Sequence, residues 1–328
     1  MNRVVLSTPA RLHFGLLDLN GEIGRIDGGV GLALESPHTL VEAEKADKVC
    51  AECRGEPEIV ERVVTAMEKV REHLGIGGAH INIRERPLAH VGMGSATQTL
   101  LGAGHALCKL YGVEKSSVEI AKLVGRGGTS GIGVEAVQSG GFILDAGHSF
   151  RRGENSKHEY TPSGASAGFE PPPVLARYNF PDWDVLVAVP LGEGASGLRE
   201  VTIFKVVCPI PLGEVREMCH ILLMQMMPAV LEGDLEMFGR AMEDFQKLGF
   251  KVFEMRAQTQ LLYDCLQFLK DNGGVGAGMS SWGPALYAFG EDLSELHRKT
   301  EGWLASHGGG KAILTKANNT GMRLEEEA

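Results

Sequence analysis

No stretch of the chain reaches the roughly 18 consecutive apolar residues that a membrane-spanning helix needs. The nearest approach, Ile221 to Leu231, is broken by Gln225 and Pro228. The opening residues, Met1-Asn2-Arg3-Val4-Val5-Leu6-Ser7-Thr8-Pro9, carry neither the apolar core nor the small-residue cleavage site of a secretory signal. A cytoplasmic protein with no membrane partner is expected. Cysteine is scarce too. The six, at 50, 53, 108, 208, 219 and 265, are too few and too scattered for a secreted disulfide scaffold. Cys50 and Cys53 form one C-x-x-C with no second pair, so they read as incidental thiols, not a zinc or redox site. Positive charge is also in deficit: 32 Lys and Arg against 42 Asp and Glu leave a net −10. That excludes a general nucleic-acid binder. Such a chain binds an anionic metabolite only where backbone N–H groups, arginines or a metal are gathered locally.

Glycine, by contrast, is abundant: 44 of 328 residues, about 13% against a usual ~7%. It follows no collagen-like period, which points to tight turns and backbone-lined loops. The length suits two domains of roughly 150 residues. Val4–Leu6 and Val30–Leu34 read as short strands between glycine turns. Ile59, Val63, Val64, Met67, Val70 and Leu74 recur at helical spacing and end at Gly75. Ile81–Arg84 alternates as a strand, a glycine-rich turn opens a helix through Tyr111, and a further helix spans Ser116–Val124. Residues 151–173 are loose and proline-terminated. They place a linker at 166–173 between a first domain, 1–165, and a second, 174–328. In the second, Asp184–Val189 reads as a buried strand, long helices fill about 213–270, and a strand, helix and strand follow near 285, 293 and 312. The mixed order predicts two α+β domains. Met218, Met224, Met226, Met227 and Met255 read as core filler. His105 and Cys108 share a helix face without further ligands, and the tail from Glu325 reads as disordered.

The strongest local signal is His90-Val91-Gly92-Met93-Gly94-Ser95-Ala96-Thr97-Gln98, running straight into a helix. Glycines admit an anion close to the backbone, and a helix N-terminus offers unpaired N–H donors. No lysine follows, so this is not the G-x-x-x-x-G-K-[ST] nucleotide loop. Pro9-Ala10-Arg11-Leu12-His13-Phe14-Gly15 and Gly276-Ala277-Gly278-Met279-Ser280-Ser281-Trp282-Gly283 complete a set of three. Together the three resemble the GHMP kinase superfamily over essentially the whole chain. The resemblance implies a ribosomal-protein-S5-like N-terminal domain and a ferredoxin-like C-terminal domain, with the ligand cleft between them.

The departures are specific. His90 stands where the kinases tend to have glycine, Thr97-Gln98 replace small residues, and Trp282 would crowd a loop lying on nucleotide phosphates. With Gly24-Arg25-Ile26-Asp27-Gly28-Gly29, Gly125-Arg126-Gly127-Gly128-Thr129-Ser130-Gly131 and Ser280-Ser281-Trp282-Gly283-Pro284, these are similar to the β-ribofuranosylaminobenzene 5'-phosphate synthases of methanopterin synthesis. That family implies a reaction of phosphoribosyl pyrophosphate with a 4-hydroxy- or 4-aminobenzoate, releasing carbon dioxide and pyrophosphate. It further implies Mg²⁺ and a homodimer. An ATP-dependent small-molecule kinase is the alternative, and a non-catalytic metabolite binder a third.

The residues that would carry this chemistry follow from the resemblance. Gly92, Gly94, Ser95, Thr97 and Gln98 would form the phosphate turn, and Arg126, Thr129 and Ser130 a second anion loop. Asp18 and Asp27 are candidates for metal or base, with Ser95 as a second metal ligand and His13 as another candidate base. Arg11, Arg199 and His90 would hold the benzoate carboxylate or the 5'-phosphate. Ser280, Ser281 and Trp282 would border the aromatic pocket.

Overall fold

The structure is a computed structural model that describes residues 2–153, 156–166, 168–191 and 198–325. Its first half is built on a long antiparallel hairpin, β1 (Arg3–Asp18) and β2 (Arg25–Ala46), paired from Arg3 opposite Glu44 to Asp18 opposite Asp27. The short strands expected at Val4–Leu6 and Val30–Leu34 are thus parts of one ribbon. The alternation that would reveal it is interrupted by irregular pairing at Pro9/Ala10 and His13/Gly15, which resets the faces. β3 (Cys50–Cys53), α1 (Pro57–Leu74), β4 (Gly78–Glu85), α2 (Ser95–Leu110), α3 (Ser117–Val124) and α4 (Ile132–Gln138) follow. Then come β5 (Phe142–Asp145), β6 (His148–Ser149) and β7 (Val174–Tyr178).

The helices start and stop where their chemistry dictates. Pro57 occupies the first turn of α1, and Gly75 closes it at φ 64°. Ser116 caps α3 in a reciprocal box with Glu119. Cys50 and Cys53 lie three positions apart on β3, so their side chains leave opposite faces. Replacing both with serine is expected to keep activity within about twofold of wild type. Stoichiometric zinc that disappears in that double variant would show the pair to be a metal site.

The second half comprises β8 (Asp184–Pro190), α5 (Leu198–Val207), α6 (Leu212–Ile221), α7 (Met227–Glu232), α8 (Leu235–Phe245), α9 (Lys251–Arg256) and α10 (Gln260–Asp271). It ends with β9 (Val275–Met279), β10 (Leu286–Gly290), α11 (Ser294–Ser306), β11 (Gly310–Thr315) and β12 (Arg323–Leu324). Its antiparallel sheet has the order β11-β8-β10-β9, the ferredoxin-like arrangement. The segment Gly276–Gly278 is a strand here, not a loop. Gly276 lets β9 approach α8, since a Cβ there would lie 3.2 Å from the Gly239 Cα.

The expected division at 166–173 does not coincide with the boundary between the sheets. β7 continues the first sheet beside β5, and β12 returns to pair with β1. The halves also share a core, in which Phe14 packs on Tyr287 and Phe289 while Phe180 packs on Phe142 and Phe238. Separate cores lie under α1 and α2 on one side and under α10 and α11 on the other. Met218 and Met226 are fully buried as expected, but Met224 is exposed, because it faces outward from the π-helical turn Leu222–Met226. Glu325 is held rather than loose: its N–H donates to the Val5 carbonyl at 2.9 Å, and residues 326–328 lie outside the described part.

Candidate active site

A cavity of about 560 Å³ opens where the three motifs converge. Its floor is the turn before α2. His90, Gly92 and Gly94 take φ of 58°, 84° and 76°, and Gly94 is the N-cap. The carbonyls of this turn are spent on docking it: Met93 accepts from Arg11 N–H at 3.2 Å, Val91 from Ala285 N–H at 3.1 Å, and Gly92 from the Ser280 hydroxyl at 2.7 Å and from the Arg11 guanidinium. The first helical bond is Gln98 N–H to Gly94, which leaves the N–H groups of Ser95, Ala96 and Thr97 at the cavity wall.

Four arginines surround that turn. Arg11 is half-buried in β1, and desolvation, with Arg126 adding to it, lowers its pKa to about 10. Arg126 donates to the Thr97 hydroxyl at 3.0 and 2.7 Å, and burial followed by Arg62 likewise brings it to about 10. Both stay charged at neutral pH. Arg62 and Arg86 complete the set, and neither was singled out by sequence. Arg86 ion-pairs with Glu56 and donates to the Ser95 hydroxyl, which itself donates to the Pro87 carbonyl at 2.7 Å. Ser95 is therefore N1 of the helix, with its side chain turned to structural partners.

The rest of the lining is apolar and acidic. Leu16, Phe204 and Trp282 belong to it, and Trp282 packs edge-on against Phe250 at 5.6 Å. Glu200 and Glu254 reach the same space. Burial and then Glu254 push Glu200 up to about 7, against a hydrogen bond from Trp282. Glu254 is paired with Lys251 at 2.5 Å, whose ammonium also donates to the carbonyls of Met279 and Ser281. Ser281, at φ 51°, lines the cavity, whereas Ser280 is buried behind it and accepts from His13 N–H.

The remaining predicted residues divide. His13, His90, Thr129 and Ser130 line the cavity. Thr129 is committed to the Thr161 carbonyl and the Ser166 hydroxyl. Gln98 is buried and donates to the Gly133 carbonyl at 3.0 Å, so it braces α4 and does not line the wall. Asp18 caps the hairpin turn by accepting from Asn20 and Gly21 N–H. Asp27 is wholly buried behind the anion loop, bonded to Lys157 at 2.9 Å and His148 at 2.6 Å. Neither aspartate lines the cavity. Arg199 is in the first turn of α5, but its side chain is outside the described part.

Residues 60–141 match the GHMP kinases N terminal domain and residues 226–308 the GHMP kinases C terminal domain. The beta-ribofuranosylphenol 5'-phosphate synthase of Methanocaldococcus jannaschii is 42% identical over 332 residues, covering 98% of this chain and 100% of that protein. The protein of the same name from Archaeoglobus fulgidus is 44% identical, covering 98% and 99%. Among solved structures, the homoserine kinase of Cytophaga hutchinsonii shares the fold with a TM-score of 0.70 at 16% identity, covering 99% of this chain and 98% of that one. The two-domain α+β architecture is that of the GHMP kinases, and the chain belongs to the beta-ribofuranosylphenol 5'-phosphate synthase family.

Proposed function

We propose that this protein is a decarboxylating phosphoribosyltransferase that joins the ribose of phosphoribosyl pyrophosphate to the ring of 4-hydroxybenzoate, as a step of methanopterin synthesis. The phenol in the relatives' name favours the hydroxy acid over the amino acid as acceptor. The observation that carries the reading is the composition of one cavity. Four arginines and a helix N-terminus line it together with Leu16, Phe204 and Trp282, so one space offers both anion donors and an apolar, aromatic surface. As pyrophosphate departs, charge builds on its oxygens and positive charge on the ribose C1. Arg11, Arg126 and the N–H groups of Ser95 to Thr97 meet the first without rearranging. The wall of Leu16, Phe204 and Trp282 excludes water from the second and stacks the ring against it.

Mg²⁺ belongs to the same proposal. It takes oxygen ligands, commonly one or two carboxylates together with substrate phosphates. Glu200 and Glu254 fit that pattern, because two acids in each other's field gain from a cation between them. Among the described residues no group of three His, Cys, Asp or Glu could hold a metal alone. Both glutamates line the cavity, unlike Asp27, which is sealed off, and Glu200 is freer than Ser95, whose hydroxyl is engaged; Glu254 would share its charge between the ion and Lys251. When bound, the ion would neutralise the leaving pyrophosphate. A homodimer is part of the proposal, supported by the family resemblance, and light scattering tests it.

Incubation with phosphoribosyl pyrophosphate, 4-hydroxybenzoate and Mg²⁺ should release carbon dioxide and pyrophosphate together. It should give a product with the mass of a ribofuranosylphenol phosphate. Chelation should stop the reaction and Mg²⁺ restore it. Phosphorylation of homoserine from ATP, with no benzoate-dependent product, would make the protein a kinase instead.

A further inference from the structure

From the cavity wall inward, three side chains form a chain to which the reaction above assigns no role. His13 Nε2 lies 3.1 Å from the Ser130 hydroxyl, and that hydroxyl donates to Asp145 Oδ2 at 3.1 Å. Asp145 ends β5, is fully buried, and also accepts from Gly131 N–H at 2.8 Å and Gly147 N–H at 2.9 Å. The three come from segments 117 and 15 residues apart. They meet over a glycine: a Cβ on Gly29 would lie 2.8 Å from Ser130 Oγ, 2.9 Å from Asp145 Oδ2 and 3.3 Å from His13 Nε2. No side chain fits there without parting them.

Proton counting fixes the direction of the chain. A carboxylate only accepts, and a serine has one proton to give. Ser130 gives that proton to Asp145, so the bond between His13 and Ser130 requires His13 Nε2 to be the donor. His13 is kept neutral by burial, then by Arg11 and Lys251. A neutral imidazole that carries its proton on Nε2 bears its lone pair on Nδ1. That nitrogen has no protein partner among the described residues, on a side chain that lines the cavity.

We infer that Asp145, acting through Ser130, is a positioning residue that fixes the His13 tautomer and makes Nδ1 the base for the acceptor's para hydroxyl. The tautomer stands on the geometry, and the identity of the acceptor rests on the function proposed above. Nδ1 takes the phenol proton as the ring carbon bearing the carboxylate attacks ribose C1. The C1–oxygen bond breaks, and pyrophosphate leaves with its electron pair. The bond to the carboxylate then breaks, carbon dioxide departs, and the released pair restores the aromatic ring and returns charge to the para oxygen. That oxygen recovers its proton from His13. Nothing is oxidised or reduced, and the base ends as it began.

Asp145→Asn tests the chain with little change of shape. Gly131 N–H and Gly147 N–H each face one carboxyl oxygen, so the amide nitrogen must displace one of these contacts. With the nitrogen at the Oδ2 position it donates to Ser130, Ser130 donates to Nε2, and the His13 proton moves to Nδ1. Nitrogen-15 NMR of histidine-labelled protein without substrate should show protonated Nε2 in wild type and protonated Nδ1 in the variant, with the His13 signals assigned by their loss in His13→Gln. In turnover, kcat should fall by about 10²–10⁴-fold, the range of general base catalysis. KM for both substrates should stay within about threefold. Should Asp145→Asn not fold, Ser130→Ala should lower kcat likewise and Ser130→Thr should restore most of it. An unprotonated Nε2 in wild type, an unchanged kcat, or a loss confined to donor KM would overturn the inference. Because the tautomer is read without substrate, the two failures separate. A wrong tautomer sinks the relay, and a wild-type protein that makes no ribosylated phenol sinks the acceptor assignment.

Discussion

Gly94→Val should lose affinity for phosphoribosyl pyrophosphate by 100-fold or more while still folding. Gly94 caps α2 at φ 76°, a conformation that a β-branched residue resists. Such strain costs about 1–3 kcal/mol, which for a chain of this size lowers melting by no more than about 10 °C. The new side chain would stand 3.1 Å from Arg11 Cγ and 3.2 Å from Nε, against a guanidinium that lines the cavity. It would also screen the N–H groups of Ser95 and Ala96. Losing two charge-assisted hydrogen bonds at about 1.5–3 kcal/mol each gives the 100-fold or larger effect. Gly92→Ala should be harsher for stability. Its Cβ would lie 2.2 Å from the Ser280 carbonyl oxygen, a backbone atom that cannot swing away. That collision would pry the phosphate turn from the loop after β9. Calorimetric titration with donor and Mg²⁺, beside thermal melts, separates the two cases. A Gly94→Val protein that melts normally and binds donor like wild type would reduce the turn to a helix cap.

What the sequence reveals depends on how local the cause is. α1 and α3 are legible because periodicity, caps and closing glycines lie within one short window. The phosphate turn is legible for the same reason: three left-handed positions and a helix start sit within six residues. The long hairpin is not, since its strands are buried on both faces over long runs and bulges shift their alternation. Nor is β9, whose glycines give no strand signal and make sense only beside α8. Within the site, Arg86 follows an ordinary strand and Asp145 ends one. Their meaning comes from Ser95 and His13, which only the tertiary fold brings near. Asp27 shows the converse error. Its glycine-rich neighbourhood resembles a site, but the side chain turns inward to an ion pair.

That ion pair carries the other large effect. Lys157 is 1% exposed, and its ammonium reaches Asp27 Oδ2 at 2.9 Å, the Gly128 carbonyl at 3.0 Å and the Ser166 hydroxyl at 3.4 Å. Lys157→Met should cost up to about 3–5 kcal/mol, because it leaves a buried carboxylate with His148 as its remaining side-chain partner and with its other oxygen already unpartnered. Asp27→Asn should cost less: asparagine tolerates φ 67° and still offers an acceptor to the ammonium. The double variant should recover part of the loss, since neither charge is then buried alone, giving a coupling of about 1–3 kcal/mol in urea unfolding. The same lysine ties the anion loop through Gly128, next to Thr129 and Ser130. Donor KM should therefore rise more than acceptor KM in Lys157→Met, at temperatures where the variant remains folded. A single variant that loses under about 1 kcal/mol, with no recovery in the double, would mean that water or relaxation already satisfies Asp27. The loop would then be held by Thr129 and its contacts to Thr161 and Ser166 instead.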